Sequence, residues 1–414
     1  MILLNSSASG FHLLGIPVEF ILFALTLAGV ALLHKHTLKV AVTGMIVIIL
    51  FLEFFSDFSL IEHIFGSDRH HGEWEILLNL LGLLTGFAVL ERHFEHSHIP
   101  QRLPNMLPDD WKGGLVLLIL IFIFSSFLDN IAAAMIGGSI AMVVFRGKIH
   151  IGYLAAIVAA SNAGGAGSVL GDTTTTMMWI DGVEFTKVLH AYAASFTALA
   201  VFGVIASMQQ HRLQPIIKHS NKPKEIDYPS LFIVLLILAL TITTNILIDF
   251  PAAGVWIAIV FGAIWRPIPY KILPEVLKGS VFLLSLVMCA SMMPVEQLPS
   301  ASWQSAFVLG FISSVFDNIP LTKLALEQGG YDWGILAFAV GFGGSMIWFG
   351  SSAGVAISNM YPQTRSVGLW LRHGWHIIIA YVVGFFVLLW SFGWNEHFHK
   401  EPRISDRQEV TAPE

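Results

Sequence analysis

One short polar motif occurs twice inside long apolar stretches of this 414-residue chain. The sequence SSFLDNI at 125–131 recurs 188 positions later as SSVFDNI at 313–319, so Asp129 and Asn130 correspond to Asp317 and Asn318. A carboxylate inside a membrane is energetically costly, and an intramembrane Asp therefore indicates a functional site. The repetition predicts two copies of one structural unit, each contributing half of a polar site.

The composition of the chain predicts a membrane protein. Hydrophobic residues make up 55% of it, charged residues only 12%, and the mean hydropathy is +0.72. Soluble domains carry about 25% charged residues, so no large soluble domain is expected. Cys289 is the single cysteine, which excludes an intramolecular disulfide. The first fifteen residues contain no Lys or Arg, so we expect a retained first span from Ile16 rather than a cleaved signal peptide.

Apolar stretches long enough to span a bilayer divide the chain into two similar halves. The first half is predicted to contain Ile16–Leu33, Val40–Phe58, Trp74–Phe94, a hairpin-like Gly114–Phe145, Ile151–Ile180 and Phe185–Met208. The second half is predicted to contain Ser230–Phe250, Ala252–Trp265, Val276–Met293, a hairpin-like Trp303–Leu326, Trp333–Met360 and Val367–Trp390. We therefore expect a first repeat over 1–208, a cytoplasmic linker over 209–229, a second repeat over 230–395 and a polar C-terminal tail over 396–414.

Glycine-rich interruptions occur at corresponding places in the two halves. The sequence GGAGSVLG at 164–171 lies 179 residues before GGSMIWFG at 343–350. Irregular backbone at membrane depth is tolerated only where protein or a water-filled cavity surrounds it. Paired interruptions of this kind indicate the binding site of a transporter built from two repeats. We therefore predict a broken transmembrane helix in each half.

The number of crossings in each half determines the predicted topology. If each Asp-Asn segment is a re-entrant hairpin, each half crosses the membrane five times and the two repeats are inverted. The predicted fold is thus an all-α polytopic membrane protein with about ten crossings and two hairpins. Of the 22 Lys and Arg residues, 16 fall on one side, five on the other, and Lys323 lies in the second hairpin. Basic loops favour the cytoplasm, so both termini are expected outside it, in a cell membrane.

Three motifs resemble those of NhaD-type sodium/proton antiporters: SNAGGAGSVLGDTTT at 161–175, DNIPLT at 317–322 and GGSMIWFGSSAG at 343–354. That family belongs to a wider ion-transporter superfamily with arsenite permeases and citrate and dicarboxylate carriers. The resemblance implies a homodimer and a mobile part, made of hairpins and broken helices, that moves like an elevator against a scaffold. The chain departs from the family pattern at Lys323, where an apolar residue is expected, and at Gly167, where a Trp is expected.

The same motifs supply the oxygen ligands that a hard cation such as sodium prefers. The candidate ion- or substrate-binding residues are Asp129, Asn130, Ser161, Asn162, Asp172, Thr173, Asp317, Asn318, Ser351 and Ser352. Of these, Asp129, Asp172 and Asp317 are the hypothesised sodium ligands. An antiporter also needs a group that binds either a proton or a cation, and burial raises the pKa of an Asp from about 3.9 toward neutral pH. No cofactor is expected, because sodium and the proton are the transported species.

Structural roles are alternatives for several of these residues. Asp129 and Asp317 are good N-caps for the half-helices that leave each hairpin tip, and capping does not exclude binding. The hydroxyls of residues 173–176 also suit a helix start, and among them we favour Thr173 as a ligand. Lys323 is predicted either to pair with a buried carboxylate and couple charge to transport, or to extend toward the outer interface.

Three classes of function are compatible with these patterns. The first is a sodium/proton antiporter that also accepts lithium. The second is a carrier of an organic acid or oxyanion, with or without ion coupling, but three core Asp residues against one Lys favour a cation. The third is a membrane sensor that does not transport, for which two buried carboxylate motifs would be unnecessary. No Walker loop, nucleophile elbow or metal-hydrolase motif occurs, so we expect no enzyme. The expected partners are the lipid bilayer, small inorganic ions and a second copy of the chain, with no nucleic acid.

Overall fold

Helices account for nearly all regular structure in the computed structural model, which describes residues 4–6, 11–13, 15–33, 36–66, 72–217 and 225–397. The strands are β1 (Leu4–Ser6), β2 (Phe11–Leu13) and β3 (Ile16–Pro17). The helices of the first half are α1 (Val18–Leu32), α2 (Thr37–Phe55), α3 (Leu60–Phe65), α4 (Trp74–His96), α5 (Ile99–Arg102), α6 (Trp111–Ser125), α7 (Asn130–Val144), α8 (Ile151–Ala166), α9 (Thr173–Ile180), α10 (Phe185–Leu189) and α11 (Ala191–Leu213). Those of the second half are α12 (Tyr228–Ile248), α13 (Pro251–Gly262), α14 (Leu273–Ser291), α15 (Trp303–Ser313), α16 (Asn318–Gln328), α17 (Trp333–Gly343), α18 (Ser352–Met360) and α19 (Val367–Phe392). Short 3₁₀ turns occupy Leu103–Met106, Tyr270–Ile272, Val295–Gln297 and Pro362–Thr364.

The helices make the chain a multi-pass membrane protein, as the composition predicts. Within the described ranges, six helical segments are long and apolar enough to cross a bilayer. They are Thr37–Phe55, Trp74–Met106, Phe185–Leu213, Tyr228–Ile248, Tyr270–Ser291 and Val367–Phe392. Shorter apolar helices accompany them, including both arms of the first hairpin, the first arm of the second hairpin and both broken helices up to their glycines.

Two features of the ends and connections differ from the sequence-based expectation. β1, β2 and β3 form an antiparallel sheet before α1, with Leu4 opposite Leu13 and Leu13 opposite Ile16. Strands of two or three residues are too short to show an alternating pattern, so the sequence predicted none. α11 continues to Leu213, so the predicted linker begins inside a helix. Residues 218–224 of that linker and 398–414 of the predicted tail lie outside the described residues.

The two Asp-Asn motifs form helix–turn–helix hairpins with the same local geometry. α6 ends at Ser125 and α7 begins at Asn130, while α15 ends at Ser313 and α16 begins at Asn318. The connecting Asp129 has φ −52° and ψ 144°, and Asp317 has φ −56° and ψ 140°. Each Asp therefore occupies the extended N-cap conformation that ends the turn and starts the second arm.

The broken helices pass so close to the hairpins that only glycine fits at the crossings. A Cβ at Gly164 would collide with the carbonyl oxygen of Phe122, and one at Gly343 with that of Gly310. The pairs are related by the repeat, since Gly343 corresponds to Gly164 and Gly310 to Phe122. The glycine runs thus bring the last turns of α8 and α17 directly against each hairpin.

Helices of each half pack against helices of the other half. α4 of the first half packs against α13, and α14 of the second half packs against α2. α11 and α19, the last helices of the two halves, also pack along each other. A separate apolar cluster, which includes Phe23, Ile48 and Leu286, joins α1, α2 and α14. These contacts place α4 and α14 next to each other and beside the hairpin tips and broken helices.

Candidate functional site

Four helix N-termini meet in the interior, and each is capped by its own polar side chain. Asp129 Oδ1 accepts a hydrogen bond from the N–H of Ile131 at 2.8 Å, and Asp317 Oδ1 accepts one from Ile319 at 3.0 Å. The capping alternative for these two residues is therefore correct. The starts of α9 and α18 are capped in the same way, by Asp172 and Ser351.

Each hairpin Asp is also linked to the broken helix of its own half. Thr173 Oγ1 donates to Asp129 Oδ2 at 3.4 Å, and Ser352 Oγ donates to Asp317 Oδ2 at 3.5 Å. Thr173 and Ser352 occupy equivalent positions, 179 residues apart. The pairing by hydroxyl and carboxylate therefore follows the internal repeat.

A buried network of amides and hydroxyls joins the two halves behind these caps. Asn130 Nδ2 donates to Asn162 Oδ1 at 3.1 Å. Asn162 Nδ2 donates in turn to Ser345 Oγ at 2.9 Å and to Ser351 Oγ at 3.1 Å. Ser345 lies in the second glycine run but was not among the predicted site residues. Its signal was the repeated motif itself, since it follows Gly343-Gly344 directly.

Asp172 differs from the other capping carboxylates in its second oxygen. Its Oδ1 accepts from the N–H of Thr174 at 3.0 Å. Its Oδ2 is buried and has no hydrogen-bond partner among the described residues. A Cβ at Gly341 would lie 3.2 Å from this oxygen, so a glycine of the opposite half leaves space beside it. A buried, unpartnered carboxylate oxygen is unfavourable, and it marks a place where a proton or cation would be stabilised.

A cavity of about 230 Å³ opens in front of these helix starts. It brings together six of the predicted residues, namely Asp129, Asn130, Asp172, Thr173, Asn318 and Ser352. The opposite wall consists of α4 and α14, with side chains such as Leu84, Phe87 and Leu283. No Lys, Arg or His lines it in the described part of the chain. The cavity is therefore acidic on one wall and mainly apolar on the other.

The other predicted residues lie behind the cavity or away from it. Asn162 and Ser351 belong to the buried network, and Asp317 contacts Ser352 without lining the cavity. Ser161 is buried within α8, where its hydroxyl donates to the carbonyl of Val158 at 2.9 Å.

Two of the neighbouring threonine hydroxyls have structural roles. Thr175 Oγ1 donates to the carbonyl of Ser168 at 2.5 Å, and Thr176 Oγ1 donates to that of Val169 at 2.8 Å. Both bonds fold the unwound segment back onto α9. This agrees with the preference for Thr173 over the following threonines as a ligand candidate.

Glu91 is a cavity residue that the sequence-based prediction did not include. It lies on α4, lines the cavity, and is close enough to Asp129 for the two carboxylates to interact electrostatically. A signal was present, because Glu91 falls inside the predicted span Trp74–Phe94, and an intramembrane acid indicates function. It was missed because it lies near the end of that span and belongs to no repeated motif.

Lys323 lies away from the cavity, in a cluster of acidic residues. Its Nζ is 2.8 Å from Glu73 Oε2, 2.6 Å from Glu327 Oε1 and 3.7 Å from Asp181 Oδ1. The side chain is fully buried and ion-paired, which favours the alternative that Lys323 pairs with buried carboxylates. Its carboxylate partners are not the capping Asp residues. The lysine instead links α16 to the start of α4 and to the end of α9.

A polytopic helical protein with crossed broken helices around a polar cavity is a membrane transporter in its architecture. A family model described as a citrate transporter matches residues 20–343. The chain therefore belongs to the citrate transporter family.

Curated relatives are named as antiporters. The chain is 27% identical over 331 residues to Sodium/proton antiporter 1 of Arabidopsis thaliana, with 69% of this chain and 56% of that protein covered. It is 25% identical over 332 residues to the Na(+)/H(+) antiporter NhaD of Alkalimonas amylolytica, covering 66% and 68%. It is 24% identical over 372 residues to the protein of the same name from Vibrio cholerae, covering 75% and 76%. The match thus spans little more than half of the Arabidopsis protein. The resemblance to NhaD-type antiporters is confirmed.

Proposed function

We propose that the protein is a secondary active transporter that exchanges sodium, or lithium, for protons. The observation that carries this proposal is the charge of the cavity. Three carboxylates line it, from Glu91, Asp129 and Asp172, and no Lys, Arg or His of the described residues balances them. Such a site favours a cation by simple electrostatics. The relatives are named sodium/proton and Na(+)/H(+) antiporters, which agrees with this assignment.

The proposed exchange depends on one carboxyl group that binds a proton or sodium but not both. Asp172 is assigned this role, because its Oδ2 is buried and unpartnered while its Oδ1 stays fixed by the helix cap. Asp129 with Thr173 and Asn130 would complete an oxygen shell of the kind sodium prefers. Asn318 and Ser352 would approach from the second half. The remaining predicted residues, Ser161, Asn162, Asp317 and Ser351, would hold this frame from behind.

The proposed architecture consists of two inverted repeats, each with five crossings and one re-entrant hairpin. It is supported by the matched caps, the glycine crossings at corresponding positions and the reciprocal packing of α4 with α13 and α14 with α2. The charge distribution supports a cell-membrane orientation with both termini outside the cytoplasm. We also propose a homodimer whose hairpins and broken helices move as one body, as the family resemblance implies.

A carrier of an organic acid or oxyanion is the second candidate. Two observations favour it, namely the citrate transporter family and the convergence of four helix N-termini, whose dipoles attract anions. The N-termini, however, are already capped by Asp129, Asp172, Asp317 and Ser351. An anion would therefore face carboxylates rather than open N–H groups, which makes a cation the better fit.

Purified protein in lipid vesicles with an imposed pH gradient tests this assignment. A pH-sensitive dye should report dissipation of the gradient on adding sodium or lithium, but not on adding choline or potassium. Dissipation or uptake driven by citrate, with no response to sodium, would instead support the anion carrier. A lack of response to every cation and anion would favour the non-transporting alternative.

A further inference from the structure

Glu91 ends a continuous stripe of α4 that faces the cavity. The α4 residues that line the cavity are Leu80, Leu83, Leu84, Phe87, Ala88 and Glu91. Their spacing of three and four residues is that of one helix face. Five of the six are apolar, so Glu91 is the single charged group that α4 presents to the cavity.

Packing does not explain a carboxylate at this position. Within the described ranges, Glu91 makes no hydrogen bond or ion pair, and the charged group that faces it across the cavity is Asp129. By contrast, Glu95, one turn further along the same helix, is partly exposed, with 43% of its side-chain surface accessible, and pairs with Arg92 at 2.6 Å. Two carboxylates that face each other in a confined space repel unless a cation lies between them.

We propose that Glu91 is a sodium-binding residue supplied by α4, which contacts the cation in the cavity opposite Asp129. This inference rests on the proposed sodium/proton exchange. Glu91 would thus be one oxygen ligand from α4, a helix outside the hairpins and broken helices. This ligand raises the affinity for sodium while the cavity is open. Asp172 and Asp129 bind the cation from one wall, and Glu91 binds it from the other. The proton-carrying role stays with Asp172, so Glu91 affects binding more than turnover.

Sodium titrations of exchange in reconstituted vesicles at fixed pH test the proposal. Glu91→Gln keeps the size of the side chain but removes its charge, and should raise the apparent KM for sodium about tenfold while changing kcat by less than about twofold. Glu91→Asp keeps the charge and should recover most of the affinity. The matched control is Glu95→Gln, on the same helix, which should leave both parameters unchanged.

The possible outcomes separate this proposal from the proposed function. An unchanged KM in Glu91→Gln, beside a wild type that exchanges sodium, overturns the role of Glu91 alone. A loss of kcat with unchanged KM, not rescued by Glu91→Asp, also overturns it, because that result indicates a structural role. Absence of exchange in the wild type overturns the proposed function instead. In that case, sodium binding by calorimetry on the detergent-solubilised proteins still tests Glu91, since only Glu91→Gln should bind sodium more weakly.

Discussion

At the scale of single residues, the three capping carboxylates are not equivalent. Asp129 and Asp317 each use one oxygen for the cap and the other for a hydroxyl of the broken helix. Asp172 uses one oxygen for the cap and keeps the other buried and unpartnered. Leaving such a group unsatisfied costs about 1–3 kcal/mol, which binding of a proton or cation would offset.

The sequence predicted part of this asymmetry but not its cause. Aligning the two glycine runs places Asp172 opposite Ser351, so a single carboxylate at this position was predictable. The unpartnered oxygen was not, because the space beside it depends on Gly341 from the other half of the chain. Likewise, the charge of Glu91 was visible in the sequence, but the helix face on which it lies became informative only with the cavity.

We predict that Asp172→Asn abolishes sodium/proton exchange at every pH while the protein still folds. The amide keeps the size and one carbonyl oxygen for the cap at Thr174, but it neither takes up a proton nor carries charge. Dye-detected exchange in vesicles over a range of pH is the measurement, with monodisperse elution in detergent as the folding check. Normal exchange by this variant would show that Asp172 is not the group for which the proton and sodium compete.

Ser351→Ala is predicted to have a smaller and different effect. Its hydroxyl accepts from the N–H of Gly354 at 3.3 Å and from Asn162 at 3.1 Å, and no charge is lost. Loss of one neutral hydrogen-bonding group costs about 0.5–1.5 kcal/mol, roughly a two- to thirteen-fold weaker apparent sodium affinity. Exchange should therefore persist at saturating sodium. Complete inactivity at high sodium would show that Ser351 does more than hold the frame.

Among the helices and hairpins, the positions of Gly and Asp account for most of the predictable features. Gly and Asp interrupt apolar runs, and the predicted hairpins and broken helices occur where those residues lie. The crossings themselves were not predictable. The backbone that leaves no room for a Cβ at each of these glycines belongs to another segment of the chain, not to sequence neighbours. α3 and the N-terminal sheet were missed for a simpler reason, since both are too short to show a period.

Gly171→Ala is expected to disrupt the contact between the first hairpin and its broken helix. A Cβ at Gly171 would collide with the carbonyl oxygen of Ser125, which is backbone and cannot move aside cheaply. The expected loss is about 1–3 kcal/mol of stability, seen as a lower thermal unfolding midpoint in detergent. Gly368→Ala, at a position with no atom within 4 Å of the added carbon, is the control. Equal midpoints for both variants would contradict the close crossing.

The ion pairs of Lys323 with Glu73, Asp181 and Glu327 are predicted to stabilise the packing of α16 against α4. Removing one partner of a buried ion pair typically costs about 3–5 kcal/mol, because the remaining charge is left without its counter-ion. Lys323→Met should therefore lower the unfolding midpoint strongly. Adding Glu73→Gln should restore part of the loss, because one of the stranded carboxylates is then neutral.

The double variant gives a direct measurement of the coupling. Glu75→Gln, two residues along α4 and exposed, serves as the control in place of Glu73→Gln and should restore nothing. Additive effects of Lys323→Met and Glu73→Gln would show that the two residues do not interact energetically. Sodium affinity should change little in each variant, since the cluster is not part of the cavity lining.

At the scale of the whole molecule, the cavity and the Lys323 cluster lie toward opposite ends of α4. The cavity extends along α4 to Glu91 and along the first half of α14, from Val276 to Leu283. The cluster holds the beginning of α4, at Glu73. The cavity and the ion-paired cluster therefore lie along different parts of this helix. The twelve apolar segments and their order were predictable from hydropathy, but the position of the cavity was not. It depends on how α4 and α14, from different halves, pack against each other.

Cysteine labelling can show to which side of the membrane the cavity opens. In the proposed orientation, the start of α4 lies outside and the start of α14 lies in the cytoplasm. In a variant lacking Cys289, a cysteine at exposed Glu62 should react with an impermeant thiol reagent in intact cells. One at exposed Glu275, in the first turn of α14, should react only in inverted vesicles. Gly279 lines the cavity, and a Cβ added there meets no atom within 4 Å. Gly279→Cys should therefore share the reactivity of Glu275→Cys.

Labelling of Gly279→Cys from outside together with Glu62→Cys would place the opening on the exterior. Reversed labelling of Glu62→Cys and Glu275→Cys would invert the proposed topology.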